Sequence, residues 1–343
     1  MNTTLLLDEH ADIEALRRTL TTMGVWATPL SAHATADAPP TLGLYLEAHS
    51  AAVSESALAA LPGVRAILAP ASAHPMLDLS RGKAQRLGVN AAGEVVSVGR
   101  GAPALLIAGP CSAESEQTAW GAAVMAASVG ARVLRGGAFK PRTSPYAYRG
   151  AGDLALQWLR AAATAHGLLL VSEATGEAQA EAVAAHVDII QVGSRSMASY
   201  GLLSVVGQLG KPVLLKRGQS ATLEEFRLAA EHLLAAGASA VVLCERGITG
   251  HDGETRNVLD LGAVALLSAI DGLAVVVDPS HAAGRRDLVL PLAAAAIAAG
   301  AHGIIVEAHP DVASARSDGP QALDADNLGA LARAMGLRPG GVS

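Results

Sequence analysis

Cys111, His281, Glu307 and Asp318 are of the residue types that hold a divalent transition metal. A thiolate, an imidazole and two carboxylates form a mixed soft and hard donor set suited to Mn, Fe, Co or Zn, with a position left for substrate or water. Taken singly, each has a plainer reading: Cys111 as a small buried hydrophobe, His281 as a histidine at a helix start. A second set is cationic. Arg135, Lys140, Arg142, Arg195, Lys216, Arg217, Arg246, Arg285 and Arg286 are nine of only 25 basic residues, and the set includes two of the four lysines. Gathered on one face they would suit one or two phosphate-bearing substrates, although any one Arg fits a surface ion pair equally well.

What these residues can do depends on the elements that carry them. From Ala104 onward, a short apolar run ending in polar residues recurs eight times, each followed by an Ala-rich amphipathic stretch. Strands are expected at 104–108, 132–135, 168–172, 187–192, 212–216, 240–244, 273–277 and 303–306. Eight βα units in roughly 235 residues match a closed (β/α)8 barrel, with an open doubly wound sheet as the rival. No GxGxxG or P-loop stands at the strand-to-helix turns, and the unit length varies too much for a solenoid.

A parallel barrel forms its site at the C-terminal strand ends. Both sets lie there. Cys111 follows the first run, Arg135 and Lys140 the second, Glu173 the third, Arg195 the fourth, Lys216 and Arg217 the fifth, and Arg246 the sixth. Asp278 and His281 follow the seventh, Glu307 ends the eighth, and Asp318 sits in the loop beyond. Closure would make the first, seventh and eighth strands contiguous, so the four metal-ligand candidates become one patch and the ligand reading prevails jointly. Cys244 ends the sixth run, expected across the barrel from that patch, and reads as a structural thiol. His166, His186 and His232 fall on helices and read as surface or packing residues.

Before the barrel, residues 1–70 alternate in a βαββαβ order, a ferredoxin-like pattern. Residues 71–90 read as a linker, 94–98 as part of a short hairpin, and 91–340 as the barrel domain. With 51% hydrophobic residues, 3% aromatic and 36 glycines, the core is built from Ala, Val, Leu and Ile, which excludes a disordered or fibrous chain. The net charge of −6 and the scattered basic residues argue against a nucleic-acid partner, and Trp26, Trp120 and Trp158 lack basic interleaving. The N-terminus lacks a basic region, and the charge-free stretch 288–306 is interrupted by Pro291, Gly300 and Gly303, so neither a signal peptide nor a membrane span is expected. Two cysteines in 343 residues suit a reducing, cytoplasmic compartment.

The motifs that carry these residues resemble the class I 3-deoxy-D-arabino-heptulosonate 7-phosphate (DAHP) synthase family, of the type with an N-terminal ferredoxin-like domain. They are Ala108-Gly109-Pro110-Cys111-Ser112, the run through Lys140-Pro141-Arg142-Thr143-Ser144-Pro145-Tyr146, Val213-Leu214-Leu215-Lys216-Arg217-Gly218, Leu243-Cys244-Glu245-Arg246-Gly247, Asp278-Pro279-Ser280-His281 with Gly284-Arg285-Arg286-Asp287, and the stretch 300–309. Related octulosonate 8-phosphate synthases share the barrel and the phosphoenolpyruvate (PEP) site but usually lack Lys-Pro-Arg-Thr.

The resemblance implies a TIM barrel that condenses PEP with erythrose 4-phosphate at the head of the shikimate pathway. It implies that Cys111, His281, Glu307 and Asp318 ligate a divalent metal and that Arg135, Lys140, Arg195, Lys216 and Arg246 hold PEP. Arg142 and Thr143 would hold the aldose phosphate, with Ser144 and Arg285 or Arg286 as helpers. Lys140 would donate a proton, while Glu173 and Asp278 would handle water and metal-site protons. The N-terminal domain would be the regulatory module of a homotetramer, binding an aromatic amino acid. Two segments depart from the family's pattern: Gly193-Ser194-Arg195-Ser196-Met197-Ala198-Ser199-Tyr200, where relatives usually read Ala-Arg-Asn, and Thr249-Gly250-His251-Asp252-Gly253-Glu254. The departures keep open a synthase for another phosphorylated aldose. A mainly regulatory subunit that partners chorismate mutase is the remaining alternative.

Overall fold

Leu5, Leu7, Leu44 and Leu46 alternate along two strands, so they share one face of a sheet, and Leu16 and Leu20, one helical turn apart, supply the stripe that covers it. The elements are β1 (Thr3–Leu7), α1 (Ile13–Thr22), β2 (Ala27–Ser31), β3 (Leu42–Leu46), α2 (Glu55–Ala59) and β4 (Val64–Leu68). They form an antiparallel sheet in the order β2-β3-β1-β4, the ferredoxin-like arrangement. Asp12 and Ser54 cap the two helices through their side-chain oxygens. The computed structural model describes residues 3–31, 42–47, 50–68, 72–140, 146 and 148–337, and the chain divides into two compact units, Met1–Ala73 and His74–Ser343.

In the second unit, the segment expected as a linker carries structure of its own where it is described. Helix α3 (Pro75–Asp78) is pinned by the Glu231 carboxylate, which accepts the N–H groups of Met76 and Leu77 at 3.0 and 2.8 Å. Strand β5 (Gln85–Val89) pairs with β6 (Val95–Val98), the expected hairpin. The polar composition of the expected linker concealed Leu87, which packs with Val96 and Val98 of the hairpin in one cluster with the barrel interior.

The barrel elements follow as β7 (Leu105–Gly109), α4 (Glu116–Ser128), β8 (Val133–Arg135), α5 (Asp153–Ala165), β9 (Leu169–Ala174), α6 (Glu177–His186), β10 (Ile189–Val192) and α7 (Tyr200–Gln208). Then come β11 (Pro212–Lys216), α8 (Leu223–Ala236), β12 (Ala240–Glu245), α9 (Leu261–Ala265), β13 (Val275–Val277), α10 (Pro279–Ala283), α11 (Val289–Ala298), β14 (Gly303–Glu307) and α12 (Ala325–Ala334). All eight expected strands are present, with ends displaced by a residue or two. Parallel pairing of β14 with β7, from Gly303 opposite Leu105 to Glu307 opposite Gly109, closes the barrel and removes the open-sheet rival. The strands are apolar on both faces because the interior and the helix layer both bury them. No helix among the described residues is long and apolar enough to cross a membrane.

Candidate active site

Alternation along each strand decides which side chains reach the barrel mouth. Leu214 lies in the interior cluster, so Lys216, two residues on, points inward, while Leu215 and Arg217 face the helices. The same count carries Val133 to Arg135, Val171 to Glu173, Ile189 to Gln191, Cys244 to Arg246, Val276 to Asp278 and Ile305 to Glu307. Six cations, Arg135, Lys140, Arg195, Lys216, Arg246 and Arg256, line one cleft together with Glu173, Gln191, Ser194, Gln219, Ser317 and three of the four metal-ligand candidates, Cys111, His281 and Asp318.

That patch is compact. One ligand atom each from Cys111, His281, Glu307 and Asp318 lies within 4.8 Å of the others. Closure sets β13, β14 and β7 side by side, which brings the four together. Cys111 Sγ donates to Asp318 Oδ2 at 2.9 Å, and Lys140 Nζ donates to Cys111 Sγ at 2.9 Å. Lys140 can approach because residue 137 is glycine: a Cβ there would stand 2.6 Å from its Nζ and 2.3 Å from the Cys111 carbonyl oxygen. At the end of β7, Gly109 takes φ +151°, and a Cβ there would stand 2.0 Å from the Arg135 carbonyl oxygen.

Glu307 is fully buried; its Oε2 accepts from Gln321 Nε2 at 2.8 Å, and its Oε1 has no hydrogen-bond partner. His281 Nε2 lies 3.3 Å from that Oε1, and Arg135 Nη1 lies 3.4 Å from it. A buried carboxylate oxygen left without a donor, beside a thiol, an imidazole and a second carboxylate, fits a divalent transition metal.

Electrostatics at the patch follow from burial and charge. Burial, reinforced by Glu307, pushes the Cys111 thiol up to about 12, so it is neutral in the metal-free chain. Burial also works against ionisation of Asp318, but the hydrogen bond from Cys111 and the charges of His281, Arg256 and Lys140 bring it down to about 2. Asp278 is fully buried, and His281 and Lys216 overcome that burial and hold it well below the usual carboxylate range.

The cations present unused donors to the cleft. Nη1 of Arg135 and Nη1 of Arg246 are buried without a hydrogen-bond partner, and burial pushes the Arg246 guanidinium down. Arg135 Nη1 has the 3.4 Å ion pair with Glu307 but no hydrogen bond, and guanidinium donors left in this state are stabilised by an anion that accepts from them.

Other expected residues are placed differently. Asp278 lies beneath the cleft, accepting from Lys216 Nζ at 2.5 Å and pairing with His281 Nδ1 at 2.7 Å, so it touches two cleft residues rather than the cleft itself. Arg217 faces the helix layer and pairs with Glu245 and Asp260 at 2.9 Å each. Arg285 pairs with Asp287 at the surface, Arg286 lies 3.6 Å from Asp324, and neither lines the cleft. Arg142, Thr143 and Ser144 lie outside the described residues. Cys244 is fully buried in the interior cluster; its strand β12 pairs with β13, so it lies beside the seventh strand, not across the barrel. Gln191, Gln219, Arg256 and Ser317 line the cleft without having been expected there. Gln191 was legible from the alternation, whereas the other three sit on loops that no periodicity describes.

A parallel (β/α)8 barrel that sets six cations beside a thiol, imidazole and carboxylate cluster suits an enzyme class: metal-assisted chemistry on anionic, phosphorylated substrates. The profile of the DAHP synthetase I family matches residues 82–337, and the chain belongs to that family. It is 48% identical over 230 residues, 67% of this chain and 68% of the relative, to the phospho-2-dehydro-3-deoxyheptonate aldolase of Thermotoga maritima. The crystal structure of a phospho-2-dehydro-3-deoxyheptonate aldolase (DAHP synthase) from the same organism superimposes with a TM-score of 0.72 at 36% identity, covering 97% of this chain and 96% of that one. A 2-dehydro-3-deoxyphosphooctonate aldolase from Syntrophotalea carbinolica is more distant, 32% identical over 54% of this chain and 69% of its own length.

Proposed function

We propose that Arg135, Lys140, Arg195, Lys216 and Arg246 hold PEP in the reaction of this family: condensation of PEP with D-erythrose 4-phosphate and water to DAHP and phosphate, the first step of the shikimate pathway. The observation that carries the assignment is that Arg135 and Arg246, each with a buried Nη1 that makes no hydrogen bond, line the cleft that Cys111, His281 and Asp318 also line. Phosphate and carboxylate are the anions that would take them up.

Cys111, His281, Glu307 and Asp318 would hold the metal, of the Mn, Fe, Co or Zn type, which when bound supplies Lewis acidity toward the aldehyde carbonyl. As C3 of PEP bonds to the aldehyde carbon, Lys140 gives a proton to the aldehyde oxygen; its ammonium also steadies the neighbouring anions. Water adds at C2, where positive charge develops, and its proton passes to Glu173, whose other carboxylate oxygen is engaged by Gln191 Nε2 at 3.0 Å. The C2–O bond to phosphate then breaks as the C2 hydroxyl gives its proton to the departing phosphate oxygen, leaving the ketone and inorganic phosphate. Fixed cations, oriented before the substrate arrives, are the main source of rate. Asp278 takes part by positioning, since it holds both Lys216 and His281. Arg142 and Thr143, with Ser144, are assigned to the aldose phosphate.

The experiment is PEP consumption with phosphate release by metal-loaded enzyme, comparing erythrose 4-phosphate, arabinose 5-phosphate, ribose 5-phosphate and no aldehyde. Turnover with erythrose 4-phosphate is expected; turnover with only another aldose would overturn the substrate assignment. For the N-terminal unit we propose a regulatory role in a homotetramer, supported by its separate ferredoxin-like core. Inhibition by one of phenylalanine, tyrosine or tryptophan, lost when residues 1–70 are removed, is the expected outcome.

A further inference from the structure

Asp318 is the one non-glycine residue with positive φ among those described, at +54°. Aspartate is among the few non-glycine types that adopt this left-handed backbone readily, and here it turns the carboxylate between two partners. One carboxylate oxygen, Oδ2, meets Cys111 Sγ at 2.9 Å, while the other, Oδ1, meets Arg256 Nη1 at 3.3 Å. Arg256 also lines the cleft.

The Arg256 backbone is anchored rather than free. Its N–H donates to the Ala283 carbonyl at 3.0 Å, and the N–H of Asn257 donates to Ala282 at 2.8 Å. The buried Asn257 side chain donates to the His281 carbonyl at 2.9 Å and accepts from Gln219 Nε2 at 3.0 Å. Two consecutive residues after β12 thus touch the segments that carry two of the four ligand candidates, His281 after β13 and Asp318 after β14.

We propose that Arg256 is a positioning residue for Asp318. It neutralises the outer carboxylate oxygen and fixes the ring of contacts so that Oδ2 is presented toward Cys111 and the metal. Asn257 does the corresponding work on the backbone of His281. Outer partners of this kind orient ligands and set metal affinity. The proposal rests on the metal-site reading above.

The test is titration of the full-length metal-free chain with Co2+, following the thiolate-to-cobalt charge-transfer absorption, alongside the unfolding midpoint of each metal-free variant. Arg256→Gln is expected to weaken Co2+ binding about ten- to a hundredfold while keeping the absorption band at saturation, and Arg256→Lys to restore most of the affinity. In an Asp318→Ala background, Arg256→Gln should cause no further loss, because the residue it acts through is gone. Wild-type affinity in Arg256→Gln, or an equal loss with and without Asp318, would overturn the proposal. Should Arg256→Gln fail to fold, Arg256→Met, which also removes the charge but keeps a long side chain, takes its place in the two backgrounds and is read in the same way. Cys111→Ala separates the two levels: if it binds Co2+ like the wild type, the metal-site reading itself fails, whereas loss there with no effect at Arg256 defeats only the positioning role.

Discussion

The Asp278 carboxylate holds His281 at two points: Oδ1 accepts the backbone N–H of His281 at 3.0 Å, capping α10, and Oδ2 meets the ring Nδ1 at 2.7 Å. One residue therefore starts the helix, orients the imidazole and leaves Nε2 facing Glu307. The same Oδ2 accepts from Lys216 Nζ, so the ligand patch and the anion cleft share a buried anchor. Asp278→Asn keeps the shape but removes the charge. Metal affinity is expected to fall about ten- to a hundredfold, with a parallel rise in KM for PEP, measured by metal titration and steady-state kinetics. A rise in KM alone would restrict the role of Asp278 to Lys216.

The two cysteines should separate sharply. Cys111→Ala removes a ligand candidate, and turnover is expected to drop by about a hundredfold or more, the equivalent of several kcal/mol of barrier. Cys244→Ala leaves the cleft untouched and should cost about 1 kcal/mol in urea unfolding, the usual price of a methyl-sized void. Equal activities of the two variants would refute the assignment.

Metal uptake is expected to release a proton. Because the Cys111 thiol is pushed up to about 12 in the metal-free chain, it carries its proton at neutral pH, and the ligating form is the thiolate. Apparent affinity should therefore rise by about tenfold per pH unit between pH 6 and 8. Calorimetry in two buffers of different ionisation enthalpy measures the proton count, and a count near zero would contradict the thiolate.

Asp318 links stability to pH in the acid range. Its carboxyl lies at about 2 in the folded metal-free chain against an ordinary 3.8, so its contribution is complete above about pH 4 and is lost as pH falls toward 2. The stability of the metal-free wild type relative to Asp318→Asn should shrink through that window in urea titrations and stay constant above it.

Neighbouring cations at the C-terminal end of β11 should behave as opposites. Lys216→Ala removes a cation proposed to hold PEP and is expected to raise KM for PEP strongly. Arg217→Ala removes the partner of a fully buried Glu245 on the outer face, so it should lower stability by about 3 kcal/mol while kcat and KM of the folded enzyme hold. Loss of PEP affinity in Arg217→Ala would place that side chain in the cleft after all.

Much of this protein is written in local periodicity. Each apolar run of the barrel declares a strand, and the helices between them make the sheet parallel, so Arg135, Glu173, Lys216, Arg246 and Glu307 stand at C-terminal strand ends before any contact is known. The N-terminal βαββαβ order was equally legible, because two leucines per strand and a helical stripe suffice to specify its core. Tertiary structure decided the rest. Only closure of β14 on β7 places Glu307 near Cys111, and only the interior face of β11 separates Lys216 from Arg217. Arg256 and Asp318 meet across 62 positions through loops with no repeating pattern, and Asp318 takes a left-handed backbone conformation that no periodicity announces. Periodicity encodes which face of an element is buried; it carries no information about loops, whose conformations are selected by contacts with residues distant in sequence.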